Sequence, residues 1–360
     1  MNRLVVNLIS RWHYYLPPVL SLAVLVGGIV LMRNKLDYRP SINDDFVLTV
    51  DEQRVLPADV LPVVLMRNDL YDEKSLPYQV LRLILSKSDQ PYRLGYAETT
   101  TDHVKSLRNI AYSIKPSSGN PSGLSIVLID AILSLPSGVT AIDIPADGGL
   151  LGLRIPCVNV MHADRFAAVQ SIDDLKPYLA VQGLGWGDAK VLAQNGLPTY
   201  EVGSDVYLNL LSQGRVDYLP RGVLSLEEEC GPRASRSDIA QIDIDDHLII
   251  AYPNAFVFVV NSQNDKLKHA LRQGFERAIA DGSHQKLLQN VMLSSWMRRH
   301  VRLKNRRLLV LSTPATERLR QQIPDFYWLV PWNAMSTKQG QYTQGSAEVL
   351  CRESFFAPLC

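Results

Sequence analysis

The chain has 360 residues, 46% of them hydrophobic and 20% charged, and a formal net charge of +1. The length exceeds one average domain and the composition is that of a globular protein with a sizeable core. The near-zero charge removes the electrostatic case for a nucleic-acid partner, and four cysteines without a CxxC pair argue against a structural zinc site.

The first feature along the chain is Leu16–Met32, seventeen residues without a charge, led by Tyr14 and Tyr15 and flanked by Arg3, Arg11, Arg33, Lys35 and Arg39. Its length lies at the lower limit of a membrane span, and no small-x-small cleavage site follows. An uncleaved signal anchor is therefore expected over residues 1–40, with a cleaved signal peptide and a buried core helix as the other readings. Basic residues on both sides leave its orientation open. A juxtamembrane segment follows, with one strand expected at Phe46–Val50.

From Leu61 the pattern alternates strand and helix. Leu61–Met66 is a short apolar run bounded by turn residues, which reads as a buried strand. Pro77 suits the first turn of a helix whose apolar face carries Leu76, Val80, Leu83 and Ile84. A strand at Tyr92–Ala97 and a helix at Thr101–Ile110 complete an α/β set. Ser113–Gly123 reads as a loop, and Leu124–Leu133 fits either a strand or a helix. A second set opens at Arg154, with strands at Ile155–Met161, Leu179–Gln182, Thr199–Val202 and Val216–Leu219 and helices at Ala189–Gln194 and Asp205–Ser212. Phe256–Val260 is a further strand. Asp265 caps a long helix with Leu267, Leu271, Phe275 and Ile279 on one face. A helix is expected over Gln285–Trp296, and the last thirty residues read as polar and peripheral. Cys351 and Cys360 close a short terminal loop; a disulfide and two unpaired thiols are both open readings.

Several motifs stand in a telling order: Ser171–Lys176 (SIDDLK), Val181–Asp188 (VQGLGWGD), Asn195-Gly196, Leu211–Tyr218 (LSQGRVDY), and a long helix closing on Asp281-Gly282. In this order the chain resembles the bacterial family 3 solute-binding proteins. The resemblance spans about Leu61 to Trp296 and is strongest over Asp143–Gly282. It implies a two-lobed type II periplasmic binding protein fold with a hinge. Lobe 1 would comprise residues 57–152 plus 251–330, lobe 2 residues 153–250, and 331–360 would form a C-terminal tail. One departure matters. The family's amino-acid binders carry a T-x-x-R motif whose arginine grips the ligand carboxylate, and residues 113–142 contain no arginine, so amino-acid specificity does not carry over.

The candidate site residues follow from this arrangement. The Gly183–Asp188 turn leads into a helix N-terminus, which favours an anion, and Trp186 either stacks on a ligand or packs into the core. Arg154 either binds an anionic group or forms a salt bridge. Tyr218 and Arg221 end a lobe 2 strand. Tyr71 and Tyr78 follow the first lobe 1 strand, with packing as the alternative. No P-loop, G-x-G-x-x-G, HExxH or G-x-S-x-G signature occurs, and Glu227–Glu229 reads as a solvated helix face. The sequence thus predicts no enzyme and no cofactor, although the fold includes enzymes such as cyclohexadienyl dehydratases. The expected function is extracytoplasmic capture of a small polar or anionic solute, of the amino-acid or organic-acid class, for transport with an ABC permease or for sensing. A membrane-anchored sensory or interaction module without transport is the alternative, and a lyase of the same fold is the second.

Overall fold

The computed structural model describes residues 46–67, 72–112, 123–203, 206–231, 241–337 and 341–360. Leu16–Met32, and with it the expected anchor, lies outside the described residues. Among the described residues no helix is long and apolar enough to cross a membrane.

Near the start, the strand expected at Phe46–Val50 is reduced to one bridge between Val47 and Tyr96. Thr49 ends it. Its hydroxyl accepts the Glu52 N–H at 3.1 Å while the Glu52 carboxylate accepts the Thr49 N–H at 2.7 Å, a capping box that starts helix α1 (Val50–Val55). The elements that follow are β1 (Leu61–Arg67), α2 (Leu76–Ser86), β2 (Tyr92–Thr100), α3 (His103–Ala111), β3 (Ile126–Asp130) and β4 (Val139–Ala141). The ambiguous run at Leu124–Leu133 is thus a strand, because both its faces are buried.

A second set follows in chain order: β5 (Leu153–Asn159), α4 (Ile172–Leu175), β6 (Ala180–Gly183), α5 (Gly187–Gln194), β7 (Thr199–Val202) and α6 (Tyr207–Ser212). It continues with β8 (Tyr218–Gly222), α7 (Leu226–Cys230), β9 (Ile242–Ile244) and β10 (Leu248–Ala251). The chain then gives β11 (Phe256–Asn261), α8 (Asp265–Ala280), α9 (Ser283–Met292), α10 (Ser295–His300), β12 (Arg307–Val310), α11 (Pro314–Gln322) and β13 (Gly345–Ser346).

These strands make two sheets, one per lobe. The first runs β2-β1-β3-β11-β4, with β1 parallel to β2 and β3, and β11 antiparallel to β3 and β4. The second runs β13-β12-β10-β5-β8-β6-β7, with β9 on β5. On the first sheet, α8 lies against α2 so closely that a Cβ at Gly274 would stand 2.0 Å from the Ile84 carbonyl oxygen. Only glycine permits that approach. The second core gathers Val158, Phe166, Leu192, Tyr218, Ile250 and Leu309, all at or below 2% exposure.

Two segments cross between the sheets, residues 142–152 outward and 252–255 back. They are hydrogen-bonded to each other and to β11, through Tyr252 N–H to Gly152 O (3.1 Å) and Ala146 N–H to Phe256 O (2.8 Å). Asp147 knits both crossings together. Its carboxylate accepts the N–H groups of Gly149 (3.1 Å) and Leu151 (2.7 Å) on one segment and of Phe256 (3.1 Å) at the end of the other.

The C-terminal part departs from expectation. Instead of joining lobe 1, β12 adds in parallel to β10 and extends the second sheet, and β13 pairs with β12 in turn. Residues 331–360 are not a peripheral polar tail either: Trp332, Phe355, Phe356 and Leu359 are at most 2% exposed. Their aromatic and apolar side chains are carried on short 3₁₀ turns, which show neither helical nor strand periodicity in the sequence. Trp328 and Leu329 press on the first crossing segment, where Gly149 (φ 85°) and Gly148 (φ 63°) leave room for them. Leu329 N–H also donates to Gly148 O at 2.9 Å. The helix expected at Gln285–Trp296 is interrupted at Leu293 and Ser294, giving α9 and α10.

All four cysteines are oxidised. Cys351 is bonded to Cys360, with Cα atoms 5.9 Å apart, and Cys157 on β5 to Cys230 at the end of α7, with Cα atoms 6.0 Å apart. The Cys157–Cys230 pairing, across 73 residues, carries no local spacing signature.

Candidate functional site

In an open α/β sheet, ligands bind beyond the carboxyl ends of the strands where the strand order reverses. In the first sheet that point lies between β1 and β3, which leave β1 flanked by β2 on one side and β3 on the other. In the second it lies between β6 and β8. The fold turns these two points toward each other. Asp130, the last residue of β3, reaches Gly187 at the start of α5, where an added Cβ would stand 2.6 Å from the Asp130 carboxylate and 2.8 Å from Ile132.

Beside this contact lies a cavity of 390 Å³. The first lobe lines it with Leu107 of α3 and with Ile129, Ile132 and Leu133 around the end of β3. The second lobe contributes Gly185, Gly187, Lys190 and Val191, and the start of α11 adds Thr313 and Ala315. His103, Ser134 and Gln194 supply the remaining polar surface, and Val104 completes the apolar part at 68% exposure. Concave, mostly apolar and marked by a few polar groups, it has the character of a small-molecule site.

A buried charge network backs the lobe junction. Arg154 Nη2 donates to Asp188 Oδ1 at 2.6 Å, and the Tyr252 hydroxyl donates to the same oxygen. Arg154, Asp188 and Tyr252 are at most 4% exposed. Burial first, and then the Asp188 charge, push the Asp130 carboxyl up to about 7 against the opposing Ile132 N–H, Arg154 guanidinium and Asn254 amide. Burial also raises the Tyr252 phenol well above its ordinary value.

At the lobe 2 switch point Trp186 and Arg221 come together. The Arg221 guanidinium lies over the Trp186 ring, 4.7 Å from its centroid, and pairs with Glu229. Glu229 also accepts the Tyr207 hydroxyl at 2.9 Å, and the Tyr207 ring lies 5.7 Å from Trp186. The run Glu227–Glu229 is therefore not simply a solvated face: its last carboxylate fixes Arg221.

The other predicted site residues stand elsewhere. Arg154 is 1% exposed and committed to Asp188, so it offers a ligand no free guanidinium face. Tyr218 is fully buried, 5.7 Å from Phe166, because β8 turns that face to the lobe 2 core. Tyr78 lies in the lobe 1 core, stacked on Tyr96 at 5.3 Å and edge-on to Phe46 at 5.8 Å. Tyr71 is outside the described residues. Sequence reasoning missed Asp130, Asp188, Lys190 and Glu229. A charge closing the apolar run Ile126–Ile129 was the one sign that could have marked Asp130.

No protein-family model matches the chain, and no curated protein matches it. Solved structures similar to it include the probable amino-acid ABC transporter extracellular-binding protein YtmK of Bacillus subtilis, at 14% identity and TM-score 0.43, covering 66% of this chain and 98% of that one. The ancestral amino acid-binding protein AncCDT-1, a precursor of cyclohexadienyl dehydratase, is similar at 12% identity and TM-score 0.43, covering 68% and 99%. The periplasmic VFT2 domain of BvgS from Bordetella pertussis is similar at 9% identity and TM-score 0.43, covering 64% and 93%. These are proteins of the class that the sequence resembles. At such identities and TM-scores neither ligand nor activity transfers, and the two-lobed arrangement rests on the sheet orders above.

Proposed function

We propose that the protein is an extracytoplasmic solute-binding module that holds a small ligand between its two lobes, and that it is a binder, not an enzyme. The observation that carries this reading is the cavity beside the Asp130–Gly187 contact, where the switch points of both sheets converge. Trp186 and Arg221 flank the lobe 2 side of that junction as candidate contacts. Oxidation of all four cysteines supports a location outside the cytoplasm, since disulfides persist in oxidising compartments. Leu16–Met32 would tether the module to the membrane as an uncleaved anchor. Thermal melts of the full-length protein against amino acids, organic acids and amines test the proposal. A ligand present at a hundred times its Kd stabilises by about 2.7 kcal/mol, which is visible as a raised melting temperature. An unchanged melting temperature across all three sets would overturn it.

A sensory or interaction role, in preference to shuttling solute to a permease, is favoured by one feature. The C-terminal segment seats Trp328 and Leu329 on one crossing segment and lengthens the sheet beside the other, so hinge motion is coupled to a part of the chain outside both switch points.

A further inference from the structure

The chemistry of the cavity wall goes beyond the general reading and rests on it. Its apolar part is continuous, formed by Leu107, Ile129, Ile132, Leu133 and Val191, and no aspartate or glutamate lines it. Lys190 is the one formal charge in the wall, and among the described residues it forms no ion pair. Three helices, α3, α5 and α11, present their first-turn residues to this space: His103 and Val104, Gly187 and Lys190, Thr313 and Ala315. The partial positive charge of a helix N-terminus is offset here by a carboxylate at each start, so Lys190 is the cationic group of the wall. Each of these N-termini holds a carboxylate of its own, Asp102 as the cap of α3, Asp188 in the first turn of α5 and Glu317 in that of α11, and each is hydrogen-bonded or paired. Asp102 accepts the Lys105 N–H (2.7 Å), Asp188 holds Arg154 (2.6 Å) and Glu317 accepts the Ser312 hydroxyl (2.7 Å).

We infer that the ligand is a small monocarboxylate with an aliphatic or aromatic body, its apolar part against Ile132 and Val191 and its carboxylate at Lys190. An α-amino acid fits this wall less well, because the lining offers its ammonium no carboxylate and the one beside it, Asp130, is packed against Gly187 with its carboxyl raised by burial. A simple amine would meet Lys190 as a like charge. The volume is ample for a ring or a six-carbon chain, since a cavity of about 150 Å³ accommodates benzene.

The test uses the full-length protein and three matched probe sets: phenylacetate and hexanoate, phenethylamine and hexylamine, phenylalanine and norleucine. Calorimetric titration should give acid affinities at least about tenfold tighter than those of the matched amine and amino acid, a difference of one charge-assisted contact. Lys190→Gln, an exposed change, should weaken acid binding about tenfold and leave the unliganded melting temperature unchanged. Ile132→Trp should fill the cavity and abolish binding; if that variant fails to fold, the Lys190→Gln comparison decides alone. Preferential binding of the amines or the amino acids would overturn the ligand class while leaving the binding reading intact. Equal acid affinity in Lys190→Gln would also overturn it. Binding by none of the six probes or any other solute would overturn both.

Discussion

At the lobe junction two carboxylates, one from each lobe, share the field of a single guanidinium. Asp188 holds Arg154 at 2.6 Å and takes the Tyr252 hydroxyl on the same oxygen, whereas Asp130 faces that pair from β3 with Asn254 beside it. One guanidinium cannot neutralise two carboxylates, and burial makes the second charge costly, so the Asp130 carboxyl sits near 7. In the unfolded chain its value is about 3.9. The folded state therefore binds the extra proton between about pH 4 and pH 7, and stability falls as pH rises through that window. Asp130→Asn removes the titration. Its melting temperature relative to wild type should climb from about pH 4 to about pH 7 and then level off. A difference that stays constant with pH would contradict this assignment. Burial also raises the Asp147 carboxyl, to about 6, but Asp147 is present in both proteins and drops out of the difference.

Among the elements, α7 is a five-residue helix with two duties. Its Glu229 fixes Arg221 over Trp186, and its Cys230 ties it to Cys157 in β5. The loop closed by this disulfide spans 73 residues, against 9 for Cys351–Cys360. Loop-closure entropy then gives about 4 kcal/mol for the first and about 2.5 kcal/mol for the second. Denaturant unfolding of the paired Cys→Ser variants should rank them in that order, and the reverse order would contradict the chain-entropy account. Element order was largely legible in the sequence, because buried strands such as Leu61–Arg67 read as apolar runs and α8 repeats at helical spacing. Fine register was not. The strand expected at Val216–Leu219 lies at Tyr218–Gly222, and residue-level reasoning gave Tyr218 to the ligand when β8 turns it inward. Side chains alternate with period two along a strand, so the face a residue takes is set by pairing partners distant in sequence, here Val158 opposite Tyr218.

For the whole molecule, the two crossing segments are what join the sheets. Both crossing segments are knitted by Asp147, and a Cβ at Gly152 would stand 2.2 Å from the Tyr252 carbonyl oxygen, so the crossings pack backbone to backbone. The C-terminal segment then covers one crossing and extends the sheet beside the other. That arrangement was not readable in advance, because Trp328 and Trp332 lie in short turns whose burial depends on the crossing segment they cover. Trp186 and Arg221, singled out from glycine-rich turn and strand-end chemistry, are brought together by the fold. The Asp130–Arg154–Asp188 network was not legible, since its members lie on separate elements far apart in sequence and meet only in the folded chain. The central claim is that a small solute binds where the switch points of the two sheets converge. A crystal structure of the full-length protein with a solute that raises its melting temperature tests this most directly. The account predicts ligand density between Ile132 and Val191 with a polar end at Lys190, and density at any other place with that space unfilled would contradict it.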